Sequence, residues 1–310
     1  MEVVNMASNK MLRRTLPGAC LLLLGAAALA ACGGEGGSFS ENASSTESAL
    51  SSGGSGGAAG GSGGGSAQAC LVGTRSIRLG QRVTTAGALA TNALSIDSGS
   101  VANGDANINN TTTSQVRISG GTLNGNLQIA GAAPSIANGE LVNGGKITGT
   151  VTAGSATQST LASHAVPAGT VAVQVNSGSP PVSRIPGNYG AVMVNGSKLT
   201  LTSGTYNLAS LAVNSGAQIV FDASAGPVAI NVQGTINFNG GTASVVGSGL
   251  VTLYSNSSAT NAVAINAGVG SLPASITAPN GGVSIGSRNT IVGCVGGKDV
   301  AFEPDSRQHQ

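Results

Sequence analysis

Very short apolar runs recur along this chain at nearly even intervals. Leu94-Ser95-Ile96, Val116-Arg117-Ile118 and Leu127-Gln128-Ile129 open the series. Val192-Met193-Val194, Leu199-Thr200-Leu201, Leu211-Ala212-Val213, Ile219-Val220-Phe221 and Ile236-Asn237-Phe238 carry it on, and Val263-Ala264-Ile265 and Val283-Ser284-Ile285 follow. Each alternates with period two, which predicts a strand with one buried face. Gly, Asn, Ser and Asp separate the runs. The pattern predicts almost no helix; the exception is an Ala-rich stretch, Thr84 to Leu94, expected to form a short helix that caps the fold. Pro167, Pro180, Pro181 and Pro186 predict an irregular insert over 154–190.

Two all-β architectures fit such strands. Asn103-Gly104, Asn124-Gly125, Asn195-Gly196 and Asn239-Gly240 are hairpin signals, which would favour a meander or sandwich. Sandwich strands are longer, however, and their cores use large aromatics. Here there is no Trp and only 2% of the residues are aromatic. Triplets joined by Gly and Asn corners fit a right-handed parallel β-helix better, with three strands per coil and roughly 22–24 residues per turn. The expected domain spans 68–310. If Cys70 and Cys294 lay at opposite ends of that rod they could not bond, because a disulfide needs Cα atoms within about 7 Å. Either the chain after Cys70 runs back along the rod, or the two thiols stay apart.

The N-terminal segment carries an address. Arg13 and Arg14 precede an apolar stretch, Leu21 to Ala31, which is too short to span a bilayer. Residues 1–31 therefore read as a signal peptide, with Met1, Met6 and Met11 as candidate starts. Leu29-Ala30-Ala31-Cys32 resembles the bacterial lipoprotein signal, which implies lipid on Cys32 and membrane attachment through it. Residues 32–67 form a Gly/Ser tether that reaches about 33 Å as a flexible coil. Gly33 and Gly34 lack a retention Asp, which by the same resemblance points to the outer membrane.

Charge removes some functions from consideration. Only 8% of the chain is charged, and after residue 31 ten Lys and Arg face ten Asp and Glu. Such a balance gives no electrostatic footprint for nucleic acid. Arg75, Arg78 and Arg82 read as a solvated face, and Asp299, Glu303 and Asp305 as a solvated C-terminal cluster. Asp97 and Asp105 are expected on adjacent turns, closing them by hydrogen bonds to backbone. His164 reads as a loop residue, and Arg307-Gln308-His309-Gln310 as a frayed end. Tyr189, Tyr206 and Tyr254 read as separate ladder or corner residues rather than a sugar-binding stack. Gly144-Gly145-Lys146-Ile147 lacks the hydroxyl residue a phosphate loop requires. The Thr-x-Thr pairs at Thr148, Thr150, Thr152 and at Thr200, Thr202 do not recur on every coil, as an ice-binding face would need. No catalytic residue, metal site or cofactor is expected.

Asn188-Tyr189-Gly190, Ser203-Gly204-Thr205-Tyr206, Asn214-Ser215-Gly216 and Ala278-Pro279-Asn280 form a further pattern with Gly297-Lys298-Asp299-Val300. It resembles a β-helical domain family of unknown function in bacterial surface and pilus-assembly-associated proteins. It is also similar to the Gly-rich domains of choice-of-anchor surface proteins. The resemblance covers 185–305 well and 90–153 loosely, and it implies a β-helix at the cell surface. The expected role is a non-enzymatic surface module whose partner is a glycan or an envelope or pilus protein. The alternatives are a polysaccharide-degrading enzyme and a scaffold polymerising end to end.

Overall fold

The structure, a computed structural model, describes residues 69–109, 116–130, 142–154 and 160–310. The signal segment 1–31, Cys32, the tether 32–67 and Glu140 lie outside the described residues.

Every paired strand in the described residues runs parallel to its neighbours, and the coils stack into a β-solenoid of about 10 turns. A turn contributes strands to three faces. Strand Gly204–Asn214 shows how: its first half pairs with Val228–Val232 and its second half, beyond a bend, with Ile236–Asn239. Gln218–Asp222 then supplies the third face, against Lys198–Thr202 and Thr242–Val246. We call these the first, second and third faces. At about 4.8 Å per turn the rod is about 48 Å long. Residues one turn apart are separated by 17 positions at Leu89 and Ala106 and by 27 at Ile236 and Val263. The period is thus looser than the expected 22–24, because loop length at the corners is free while strand register is not.

Inward positions stack like on like. Leu211, Ile236, Val263 and Val283 form one column on the second face, all buried. Phe221, Phe238 and Phe302 fill the wider parts of the core. One outward corner carries a matching column of carboxamides: Asn195 Nδ2 donates to Asn176 Oδ1, Asn214 to Asn195, Asn239 to Asn214 and Asn266 to Asn239, at 2.6–3.2 Å. So the Asn-Gly pairs sit at corners of parallel coils and make no hairpins. Next to this column each turn needs a left-handed residue, which Gly216 (φ 74°) and Gly240 (φ 82°) supply without a Cβ clash. The Ala-rich stretch expected to be helical forms strands Thr84–Ala86 and Leu89–Thr91. Its Thr85, Leu89 and Ala90 are buried, so the tertiary stacking overrides the helix preference of Ala.

The order of the coils along the rod differs from their order in the chain. The N-terminal coil, entered through Leu71–Leu79, pairs on one side with Leu89–Thr91 and Leu94–Ile96, and on the other with the last coil through Val295–Phe302. From residue 70 the chain therefore winds from mid-rod to one end, where Val151–Gly154 pairs on one side only, with Leu127–Ala130. It then begins again at the opposite end with Val173–Val175 and winds back to mid-rod. The first and last coils meet at a seam where stacking is continuous but the chain is not.

The stretch expected to be an irregular insert divides accordingly. Residues 173–190 belong to the coils, whereas 160–172 contain no strand and run along the outside of the first face. Leu161 covers Gly296, where a Cβ would stand 2.9 Å from its side chain, and Gly169 donates to Tyr189 O at 3.0 Å. Those contacts lie five turns apart by register, about 24 Å. Eight residues of extended chain reach about 26 Å, so this strap is drawn nearly straight. None of its residues forms a strand, although its last ones hydrogen-bond to the neighbouring coil, Gly190 N donating to Val171 O at 2.8 Å.

Cys70 and Cys294 are disulfide-bonded with Cα atoms 4.6 Å apart. They meet because neither lies at an end of the rod. The bridge closes a loop with a sequence separation of 224. In the chain-entropy account a loop of that size is worth about 5 kcal/mol, toward the upper end of what native disulfides deliver. Cys294→Ser should therefore lower the unfolding free energy by about 2–5 kcal/mol in chemical denaturation. Thr85 offers the opposite case. Its hydroxyl is buried and has no hydrogen-bond partner among the described residues. Thr85→Val keeps the shape and removes the unmatched group, so it should raise stability by about 1 kcal/mol in the same measurement.

Candidate functional site

The polar side chains that the sequence separates into two groups come together at the seam. Arg75 stands on the first coil and Asp299 on the last, and their register neighbours Ser76 and Asp299 are paired. Arg75 Nε donates to Asp299 Oδ1 at 2.6 Å, Arg75 Nη2 donates to Oδ2, and Ser76 Oγ donates to Oδ1 at 2.6 Å. Seven residues on, Arg82 forks onto Asp305 at 2.6 and 2.9 Å. Arg78 faces Asp97 on the next coil at 3.7 Å. Arg75 and Arg82 and two of the three C-terminal acids are thus each other's counter-ions across the joint, whereas Arg78 finds its acid on the N-terminal side of it.

Their placement is unusual in one respect. The left-handed corner position is held by Gly on most turns, but on three successive turns it is held by Arg288, Asp305 and Arg82, with φ of 62°, 63° and 55°. A residue with a Cβ pays about 1–2 kcal/mol to sit there. An exposed ion pair, screened by solvent, returns little. The charged corner is therefore retained at some cost to local stability, and two of its members are what tie the last coil to the first. A shallow cleft of about 350 Å³, lined by Ala267, Gly268, Gly270, Ser287, Arg288 and Asp305, opens beside it.

Gln308 completes the joint from inside. The expected frayed end is a strand, Arg307–His309, paired with Thr290–Val292 and continuing onto Thr84. Gln308 is fully buried; its Oε1 accepts from Ala86 N at 3.0 Å and its Nε2 donates to Gly293 O at 2.8 Å. No motif announces it. A polar residue at an inward position of a triplet is the available signal, and it needs the strand to be recognised first.

A second polar cluster pins the strap. Tyr254 points outward from the first face and His164 stacks on it, ring centroids 3.8 Å apart. His164 N donates to Tyr254 OH at 2.8 Å, and Tyr254 OH donates to His164 O at 3.0 Å. Ser163 Oγ accepts from Asn280 Nδ2 at 3.0 Å and donates to Asn256 Oδ1 at 3.1 Å. The Ser163 hydroxyl is engaged by amides rather than by the imidazole, so the cluster lacks the nucleophile–base contact of a hydrolase. Tyr206 is buried, donates to Arg184 O and Thr202 O at 2.7 and 2.9 Å, and lies against Tyr189. Contrary to the expectation of three separate residues, Tyr189 and Tyr206 are stacked on each other, while Tyr254 stands turns away beneath the strap; with Tyr206 buried, the three present no common platform.

The remaining expected residues are dispersed. Asp97 and Asp105 lie at different corners; Asp105 Oδ1 accepts from Asn126 N one turn on, at 2.7 Å, rather than closing its own turn. Lys146 and Ile147 form a strand pair with Thr122 and Leu123, without a helix to cradle phosphate. Among the described residues no group of three His, Cys, Asp or Glu could hold a metal ion.

A family model, a domain of unknown function (DUF7305), matches residues 187–271. No curated protein and no solved structure matches the chain. The matched stretch takes in the carboxamide column from Asn195 to Asn266 together with Tyr254, and stops short of the seam. The chain thus carries a β-helical region similar to a domain whose function is unknown, joined to coils outside that match.

The seam responds to acid. Burial raises the Asp299 carboxyl, but hydrogen bonds from Arg75 and Ser76 and the charges of Arg75 and Lys298 outweigh it and leave its pKa below the usual carboxylate value. Hydrogen bonding from Arg82 chiefly lowers that of Asp305. A carboxyl depressed in the folded state stabilises it above the unfolded pKa, about 3.9, and the contribution disappears as pH falls through the folded value. Stability from these two groups should be flat from pH 5 to 8 and decline below about 4. Asp299→Asn should flatten that decline in thermal melts taken across the acid range.

Proposed function

We propose that this protein is a non-enzymatic, lipid-anchored module of the bacterial cell envelope, a rod held on a flexible tether and presented for binding. The reading rests most on one observation: the tether joins the rod at its waist. Residue 70 enters beside Cys294 at the seam, so both halves extend freely from the point of attachment. A structure built to work in solution gains nothing from a Gly/Ser arm placed there, whereas a tethered one gains reach for both ends. The carboxylates support the non-enzymatic side of the reading. Asp97, Asp299 and Asp305 face arginines and Asp105 faces a backbone amide, so these four carboxylates are engaged rather than opposed in a pair of the kind glycoside hydrolysis uses.

Recognition in this reading is by the long outward rows of Asn, Ser and Thr on the sheet faces, which suit glycans or envelope and pilus proteins. The anchor is lipid on Cys32, in the outer membrane. Two measurements on cells test it. Cys32→Ser should move the protein from the membrane fraction to the soluble fraction, and retention on membranes would refute the anchor. Protease added to intact cells should cut within 33–67 and release the rod. Protection until the outer membrane is permeabilised would place the rod in the periplasm and remove the surface role.

A further inference from the structure

Among the described residues six large apolar side chains are exposed, and four of them fall on the corner between the third and first faces: Ile185 (71%), Val246 (49%), Leu250 (74%) and Val292 (40%). Register places them. Arg184, Leu201, Phe221 and Val245 are successive partners, so Ile185 and Val246, each one residue further, share a row three turns apart. Strand Ser271–Leu272 packs on Thr242–Val246 and pairs Leu272 with Ile291. Pro273 and Val292 therefore follow Val246 at this corner on the next two turns. Val246, Pro273 and Val292 occupy three successive turns at about 4.8 Å each, with Leu250 in the loop beside them. Thr202 and the half-buried Asp222 separate Ile185 from this patch.

The patch ends where the chain outside the rod begins. Two residues after Val292 comes Cys294, bonded to Cys70. The tether that leads from there to Cys32 offers only two large apolar side chains, Phe39 and Leu50, in a Gly/Ser background. It is too poor in apolar surface to cover the patch, but at about 33 Å it is short enough to keep this corner close to its anchor.

We propose that this corner rests on the lipid surface, with Leu250 and its neighbours entering the boundary between headgroups and acyl chains, where aliphatic side chains on a peripheral protein settle. The inference rests on the lipid anchor proposed above. The row runs along the rod, so the rod lies on its side, and the second face, opposite this corner, turns away from the membrane.

The test uses the full lipidated chain in vesicles of phosphatidylethanolamine and phosphatidylglycerol containing headgroup-nitroxide lipid. An environment-sensitive fluorophore is placed at Leu250→Cys, or at Arg117→Cys on the second face as the reference; both sites are exposed. Quenching several-fold stronger at 250 than at 117 is expected, and Val246→Glu with Val292→Glu should abolish the difference. Equal quenching at both sites in protein that floats with vesicles would overturn the contact and leave the anchor standing. Failure of the chain to float would remove the anchor and the contact with it. A probe at 250 that is shielded yet not quenched by lipid would assign the corner to a protein instead and overturn the proposal.

Discussion

The pairing of Leu71–Leu79 with Val295–Phe302 is the contact on which the rest of this molecule depends. Everywhere else a coil is joined covalently to the next, and stacking costs little additional chain entropy. At the seam two edges distant in sequence must find each other, and each would otherwise be an open parallel edge in the middle of a rod. The disulfide, the paired arginines and the buried Gln308 gather at this one joint because it is the only one that the chain itself does not hold.

The strap follows from the same arrangement. A solenoid that starts and ends in its middle needs a return path as long as the distance between its ends. The path must lie outside, since the core is filled. Small outward residues make room for it: Gly296 beneath Leu161, and Gly190, whose amide donates to Val171 O. Tyr254 supplies the single large ring against which it is clamped.

The coils were legible in the sequence because their signal is local. Period-two triplets and Gly or Asn corners report a strand and a bend wherever they fall, and Leu211, Ile236 and Val263 occupy the positions their triplets assign them. The order of the coils was not legible. Nothing local distinguishes Val295 stacking on Leu71 from Val295 ending the rod, so Arg75 and Asp299 read as two unrelated solvated groups, and the pairing of Cys70 with Cys294 stayed open. The helix expected at Thr84–Leu94 failed for the same reason: Ala packs as well in a narrow coil as in a helix, and only the neighbours at Ala102 and Ala106 decide between them.

The waist attachment has a mechanical consequence. A pull applied to the chain before residue 70 meets a covalent bond to residue 294 at once. Force applied to the C-terminal half therefore passes from Cys294 through sulfur to residue 70. It bypasses the strap and every coil of the N-terminal half, which can stay unstressed while the protein is under tension.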